Sequence, residues 1–257
     1  MKKFQFALMV AATLAFIACK PNEPVNTEEE EGEGDEFVSK VNVTDNSIAE
    51  WDNLPAEYVK SATCAEGCTK FQALKSVKVY ADKMYINILV EFDDALIVDR
   101  EWVPFHVYLD ADNSDATGGY ADEFADANTE WMLETAIISA GAGNSYNPSV
   151  WKWWGEVGGS GWSWSDPEIV GDESNFWGAV IGEGQAPIGA SQLIGNKCEI
   201  QLLREAIPAT WNPTQFGIGF DIQQNWSSVG VLPNAADDVD GNAVLAAKLK
   251  VNIDMAD

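Results

Sequence analysis

Apolar and polar residues alternate with a period of two along most of the chain beyond residue 40. In the segment 103–110, apolar residues occupy the odd positions from Val103 to Leu109. The same alternation recurs over 85–92, 197–202, 216–222 and 245–253. This period predicts β-strands with one core face and one second face. The short polar segment 81–83 between two such runs predicts a hairpin turn.

Long loops separate these runs, and long amphipathic helices are not indicated. Clusters of Gly, Asn, Asp and Pro occur at 111–119, 141–148, 155–161, 182–189 and 233–242. Many strands without regular strand–helix alternation are typical of all-β proteins. We therefore expect one domain over 41–257, an antiparallel β-sandwich of the jelly-roll type with long loops.

The first residues have the pattern of an export signal. Lys2 and Lys3 precede an apolar run from Phe4 to Ala18, which is too short for a stable membrane span. The small residue before Cys19 resembles the bacterial lipoprotein signal, in which cleavage precedes a Cys that then carries lipid. The prediction is a signal peptide over 1–18 and lipidation of Cys19. The alternative is an ordinary signal peptide with an incidental Cys.

An acidic segment follows Cys19. Residues 20–36 contain eight acids and one base and show no apolar periodicity, so 19–40 is predicted to be an extended, self-repelling tether. It resembles the surface-export signal of lipoproteins in gut-type Gram-negative bacteria, although a simple solvated spacer has the same composition. These features predict an outer-membrane protein at the cell surface, held to the membrane by its lipid anchor alone.

Composition excludes some functions. The chain has 41 acidic and 15 basic residues and a formal charge of −26, which argues against nucleic-acid binding. Residues 37–257 alone carry −21, a charge that suits cationic or neutral ligands. The single histidine, His106, argues against a poly-histidine metal centre and is either a base or a hydrogen-bonded structural residue.

Four cysteines fall into three settings. Export makes a disulfide between Cys64 and Cys68 plausible, and Gly67 eases the tight turn between them. The alternatives are two free thiols or a metal pair. Cys198 lies on the apolar face of its strand and is expected to be a core residue.

An acidic loop after the 103–110 strand is a candidate calcium site. Alternate carboxylates at Asp110, Asp112 and Asp115 can direct hard oxygen ligands at one point. The loop is not an EF-hand, and acids within 122–126 can complete a looser site. A second acidic loop, 237–242, has weaker features of the same kind. The alternative for both is a metal-free Asx turn.

Tryptophans are concentrated in one predicted hairpin with a glycine-rich turn. They are Trp151, Trp153, Trp154, Trp162 and Trp164. Not all five indoles can lie inside the core of one hairpin, so we expect some to be exposed. Exposed indoles suit the CH-rich faces of sugar rings. The alternative is structural, since alternating aromatic residues also pair across hairpins.

No catalytic motif identifies an enzyme. Nucleophile-elbow, zinc-protease, P-loop and dinucleotide-binding patterns do not occur. Glu134 is a candidate buried or loop-pairing carboxylate. An Asp/Glu pair for glycoside hydrolysis is compatible with the many acids but is not located by the sequence.

Three motifs together resemble the carbohydrate-binding modules of family nine and their lipoprotein relatives. They are Asp45–Trp51, with Asn46 where the family usually has Gly, the hairpin Val77–Ile86, and Tyr108–Asn113. The resemblance covers about 45–120. It implies a β-sandwich, structural calcium and sugar binding, but it does not place the family's stacking tryptophans in this chain.

The expected function is therefore non-catalytic binding of a polysaccharide or oligosaccharide at the bacterial surface. Exposed tryptophans would carry the binding, Ca²⁺ would rigidify loops, and outer-membrane glycan-uptake proteins are candidate partners. Two alternatives are a glycoside-active enzyme using Asp/Glu and a structural or adhesive surface protein.

Overall fold

The computed structural model describes residues 37–98, 103–120, 122–137, 146–164 and 188–256. The predicted signal peptide over 1–18, Cys19 and most of the tether lie outside the described residues. The chain from Phe37 onward forms one compact unit. Lys40, at the end of the predicted tether, already belongs to this unit, since its Nζ lies 2.7 Å from Asp254 Oδ2. No helix in the described part of the chain is long and apolar enough to cross a membrane.

The described residues form eleven β-strands, so the all-β prediction is confirmed. The strands are β1 (Lys60–Thr63), β2 (Leu74–Asp82), β3 (Tyr85–Phe92), β4 (Pro104–Asp110), β5 (Trp131–Ala136), β6 (Ser149–Lys152), β7 (Gly189–Ile194), β8 (Lys197–Leu203), β9 (Gln215–Gln224), β10 (Ser227–Leu232) and β11 (Leu249–Asp254). Ala49–Asp52 and Arg204–Ala206 are short 3-10 helices. The last strand is shorter than the alternation over 245–253 predicts, because Leu245 and Ala246 make only isolated bridges.

The strands belong to one curled sheet rather than to two separate sheets. Its order is β6-β5-β4-β9-β11-β2-β3-β8-β7, with β1 beside β2 and β10 beside β9. The described strand pairs are antiparallel except for β11 and β2, which run parallel over Ile253–Asp254. The sheet is therefore mixed, a difference from the fully antiparallel prediction. A bridge between Tyr146 and Gly189 links the two end regions of the sheet.

Strand β11 makes the curl possible. Its first part pairs with β9, and its last two residues pair with β2. Side chains from both halves of the sheet then meet in one central core. Alternate residues supply it, for example Val107 of β4, Phe220 of β9 and Ile88 of β3, all fully buried. The period-two pattern selects these positions because successive side chains of a strand point to opposite faces.

The second face of β4 and β9 is also covered. Every residue of β4 is buried, although alternate positions are polar or aromatic. A second cluster, here called the aromatic layer, packs on this face; it consists of Tyr108, Tyr120, Phe124, Met132, Trp151, Trp153, Trp164 and Val231. Gly219 of β9 permits the contact, since a Cβ there would lie 2.4 Å from the Phe124 ring. The loop residues between strands thus form an additional wall of the fold.

Candidate functional site

The five tryptophans of the predicted hairpin have two different environments. Trp151, Trp153 and Trp164 are buried in the aromatic layer, with at most 6% of each side chain exposed. Trp154 and Trp162 are 43% and 41% exposed. The expectation that some of the indoles are exposed is therefore met by two of them. The three buried indoles pack against one another and against neighbouring rings, and Trp153 also lines a pocket of about 380 Å³.

The predicted hairpin is only half formed. Ser149–Lys152 is strand β6, whereas 162–164 is irregular and is bonded to the residues that follow β6, with Trp154 N donating to Ser163 O at 2.8 Å. Ring contacts hold this segment in place instead. The Trp164 ring centroid lies 5.1 Å from that of Tyr120 and 5.2 Å from that of Trp153, both in edge-to-face geometry. Such ring pairs stabilise a fold by more than the burial of their apolar surface alone.

Trp162 forms one wall of a cleft with a volume of about 300 Å³. Trp226, which is 65% exposed, also lines the cleft. The remaining lining residues are Tyr120, Glu123, Gln223 and Ser228. This combination of apolar rings and a few polar groups is typical of small-ligand sites. We call it the tryptophan cleft.

Trp226 lies at the tip of the hairpin between β9 and β10. Gln224 pairs with Ser227, so Asn225 and Trp226 form a two-residue turn, with φ of 51° and 60°. Positive φ at both central residues is the geometry of the tight turn that suits β-hairpins. A bulky aromatic residue in this left-handed region is unusual and strained, and such outliers cluster at functional sites. Trp226 was not predicted as a site residue, although Asn-Trp between two alternating runs is a local signal of a turn.

Tyr120 also has a left-handed backbone conformation. Its φ is 67°, and its N–H donates to Gly159 O at 2.7 Å. The bond ties the acidic-loop segment to the glycine-rich turn before Trp162. Asp122 Oδ2 also accepts a bond from Gly161 N at 2.8 Å. Two loops from distant parts of the sequence are therefore joined at the cleft wall.

Glu123 places a carboxylate with few partners in the cleft. Its Oε1 accepts a long bond from Ser228 Oγ at 3.4 Å. Its Oε2 is buried and has no hydrogen-bond partner among the described residues. Burial, with a contribution from the Asp221 carboxylate, raises the pKa of Glu123 to about 7. The group therefore changes charge near neutral pH and is left with acceptor capacity for a ligand.

A buried charge network lies behind the cleft. Gln223 Nε2 donates to Asp221 Oδ2 at 2.7 Å, which holds this lining amide in place. His106 lies between two carboxylates, with Nδ1 3.2 Å from Asp221 Oδ2 and Nε2 2.8 Å from Glu134 Oε2. Burial opposes its protonation, but these two hydrogen bonds raise the pKa of His106 to about 9. His106 is thus a protonated, hydrogen-bonded residue of the interior.

The first acidic loop gathers three carboxylates, but not the three predicted. Ligand oxygens of Asp110, Asp112 and Glu130 lie within 4.8 Å of one another. Asp115 is used differently, since its Oδ1 accepts a bond from Asn128 Nδ2 at 3.1 Å. Glu130 was not predicted, because it lies on the segment entering β5 and reaches the loop only through pairing of β5 with β4.

Existing interactions already compensate part of this carboxylate group. Lys250 Nζ lies 2.5 Å from Asp110 Oδ2, and Ala111 N donates to Glu130 Oε2 at 2.7 Å. Burial and a hydrogen bond with Asp112 raise the pKa of Glu130 to about 7. Asp112 and Glu130 also line a second pocket, of about 380 Å³, beside Lys152.

In the second acidic loop, backbone N–H groups of the loop itself bind the Asp238 carboxylate. Asp238 Oδ1 accepts bonds from Asp240 N at 2.9 Å and from Asn242 N at 2.7 Å. This is the Asx-turn arrangement that was the alternative to a metal site. Among the described residues, the Asp110, Asp112 and Glu130 group is the one cluster with metal-ligand spacing.

The predicted disulfide is not formed in this structure. Cys64 and Cys68 are free thiols, although their side chains interact within the turn that a bond from Cys68 N to Ala65 O closes. Burial raises the pKa of the Cys64 thiol. Cys198 is fully buried in the central core, as predicted.

No family model, curated protein or solved structure matches this chain, so the functional argument rests on the residues of the site.

Proposed function

We propose that this protein binds glycans through the tryptophan cleft. The observation that best supports this proposal is that two exposed indoles, Trp162 and Trp226, line one cleft with polar groups beside them. Indole faces give apolar contact to the CH-rich faces of sugar rings. Glu123, Gln223 and Ser228 supply hydrogen-bonding groups for ring hydroxyls. The motifs that resemble family nine carbohydrate-binding modules support the same conclusion from the sequence.

Backbone strain favours a ligand-binding role over simple packing. Trp226 and Tyr120 both have positive φ, and both line the cleft. Trp226 remains mostly exposed, so burial of its own ring does not compensate for the strain of its backbone. A contact with a ligand provides that compensation.

The cell surface is the proposed location. The export signal, lipidation of Cys19 and the acidic tether would hold the domain away from the outer membrane, with polysaccharide or oligosaccharide as ligand. Outer-membrane glycan-uptake proteins are the proposed partners in polysaccharide capture. The protein would contact the membrane through the lipid on Cys19.

The test is affinity electrophoresis of the domain in gels that contain soluble polysaccharides. Trp162→Ala and Trp226→Ala are each expected to weaken retardation about tenfold in affinity, since one aromatic stacking contact is lost. Trp154→Ala is the matched control, because Trp154 is 43% exposed but does not line the cleft. Equal effects of all three substitutions, or no retardation across a broad panel, would remove the support for this site.

We further propose that the acidic loop holds Ca²⁺. Asp110, Asp112 and Glu130 supply the hard oxygens that Ca²⁺ prefers. The pKa of Glu130 is raised by burial and by the neighbouring Asp112, and a divalent cation would stabilise both of these carboxylates in their charged form. Lys250 would have to move from Asp110 or share it. When bound, the ion would fix the loop. A melting temperature that neither Ca²⁺ nor chelator changes would contradict this proposal.

The second pocket supplies the observation for an alternative, glycoside hydrolysis. Glu130 has the pKa of a general acid and faces a cavity with Asp112. However, the ligand oxygens of this group lie within 4.8 Å of one another, closer than the separation of about 5–9.5 Å in most glycosidases. Binding is therefore the better-supported function. Release of reducing ends that Glu130→Gln abolishes would favour the enzyme.

A further inference from the structure

We propose that the tryptophan cleft selects sugars that carry a free amine, with the Glu123 carboxylate as the counter-charge. This inference rests on the proposed glycan-binding function and names the ligand class of that site. It predicts a preference for cationic hexosamine units over neutral sugars, and rejection of uronic acids.

The charge at the surface of the cleft is negative. None of its lining residues is a Lys or Arg, and Glu123 is the acid among them. Asp122 and Asp221 act on Glu123 as like charges. His106 opposes them, but its two ring nitrogens are bound to Asp221 and Glu134. The local potential is therefore negative, so a cationic ligand gains and an anionic ligand loses.

The hydrogen-bonding groups of the cleft also require a donor. The Tyr120 hydroxyl and the Ser228 hydroxyl, the latter over a long 3.4 Å, act as donors toward the Glu123 carboxylate. Oε2 is still buried without a hydrogen bond of normal geometry among the described residues. Gln223 already donates inward to Asp221. An unpartnered buried acceptor is unfavourable, whereas a charge-assisted bond from an ammonium group is among the stronger hydrogen bonds in proteins.

The indoles extend the same selection to the rest of the ligand. Trp162 and Trp226 present aromatic faces, which attract cations as well as apolar CH groups. A hexosamine combines a flat CH-rich ring with an ammonium group. A lysine side chain has the ammonium but lacks the ring face, so the cleft fits the amino sugar better.

The experiment compares matched oligosaccharides by isothermal titration calorimetry on the domain. The ligands are glucosamine oligomers, their N-acetylated counterparts, glucose oligomers and glucuronate oligomers of equal length, with oligolysine as a peptide amine. We expect glucosamine oligomers to bind about five- to tenfold more tightly than the N-acetylated form, and glucuronate not to bind. The preference should weaken as salt rises, since an ion pair at a cleft mouth is screened.

Glu123→Gln tests the assigned residue. The ratio of affinities for the free-amine and N-acetylated oligomers should fall to about one in this variant, and an unfolding curve shows whether the variant is folded. The salt dependence of the native protein provides a second test that needs no variant.

The outcomes separate this inference from the proposed function. Equal affinity for all the neutral and amine oligomers, with about tenfold weaker binding in Trp226→Ala, overturns the amine preference and leaves glycan binding intact. No binding of any oligosaccharide overturns both. Binding of oligolysine as tight as that of glucosamine oligomers overturns the assignment to a sugar.

Discussion

Replacement of Glu123 by Gln should stabilise the protein in a manner that depends on pH. The carboxylate lies in the cleft with one oxygen that no described group binds. Its pKa rises from 4.5 to about 7 mainly because burial disfavours the charged form. The folded state therefore holds this proton more tightly than the unfolded state does. Stability from this group is full below about pH 4.5 and falls as pH rises to about 7.

The magnitude follows from the size of that shift. Each pKa unit corresponds to about 1.4 kcal/mol, so the change from 4.5 to about 7 corresponds to about 3 kcal/mol. Water at the open side of the cleft reduces this to about 2–3 kcal/mol. Glutamine keeps the shape but removes the charge. The variant should equal the native protein at pH 4 and exceed it in unfolding free energy by about 2–3 kcal/mol at pH 8.

Urea unfolding of both proteins at pH 4, 6 and 8 measures this difference. Glu130 contributes equally to both proteins. His106 acts on the pKa of Glu123, but with its own pKa raised to about 9 it keeps its charge up to pH 8, so the change of the difference with pH reports on Glu123. A difference that stays constant across this pH range would refute the reasoning. A destabilised variant at pH 8 would show that the charged form makes favourable contacts instead. Confirmation would mean that the cleft keeps a carboxylate at the expense of stability, as ligand sites commonly do.

Three further substitutions are expected to have measurable effects on urea unfolding. Trp226→Gly should raise the unfolding free energy by about 1 kcal/mol, since glycine relieves the positive φ of 60°, and it should weaken the proposed glycan binding. An unchanged or lower stability would argue against strain at this turn. His106→Gln should lower it by about 3–5 kcal/mol, because Asp221 and Glu134 lose the cation between them; a loss below about 1 kcal/mol would show that His106 is not charged there. Gly219→Ala should lower it by about 1–3 kcal/mol, since the new Cβ would lie 2.4 Å from the Phe124 ring; a neutral effect would mean that the aromatic layer can shift.

Local patterns were sufficient for most strands. The alternation over 103–110 and 216–222 predicted β4 and β9, and the short segment 81–83 predicted the hairpin between β2 and β3. The hairpin forms, but its turn lies at Lys83 and Met84, since Ala81 and Asp82 still belong to β2. Asp82 Oδ1 fixes the turn by accepting bonds from Met84 N and Tyr85 N. Such signals are local, since they depend only on which side of a strand each residue faces and on nearby backbone bonds.

The candidate site was only partly predictable. Sequence analysis identified the 151–164 segment as a source of exposed indoles, but it did not distinguish Trp162, at 41% exposed, from Trp164, which is fully buried. That difference depends on rings such as Tyr120, which come from another loop. Glu130 was missed because pairing of β5 with β4 brings it to the acidic loop. Trp226 had a local turn signal, but its position beside Trp162 depends on contacts between segments far apart in the chain.

The sequence alone was enough to indicate an acidic, all-β protein. Period-two alternation and turn residues are local patterns, and acidic composition is a simple sum over the residues. They could not indicate that the second face of β4 and β9 is covered by an aromatic layer, that β11 joins both halves of one curled sheet, or that Trp162 and Trp226 share a cleft with Glu123. These features depend on contacts between segments far apart in the chain. Burial and the pKa of a carboxyl group arise from such contacts, so they exist only once the chain is folded.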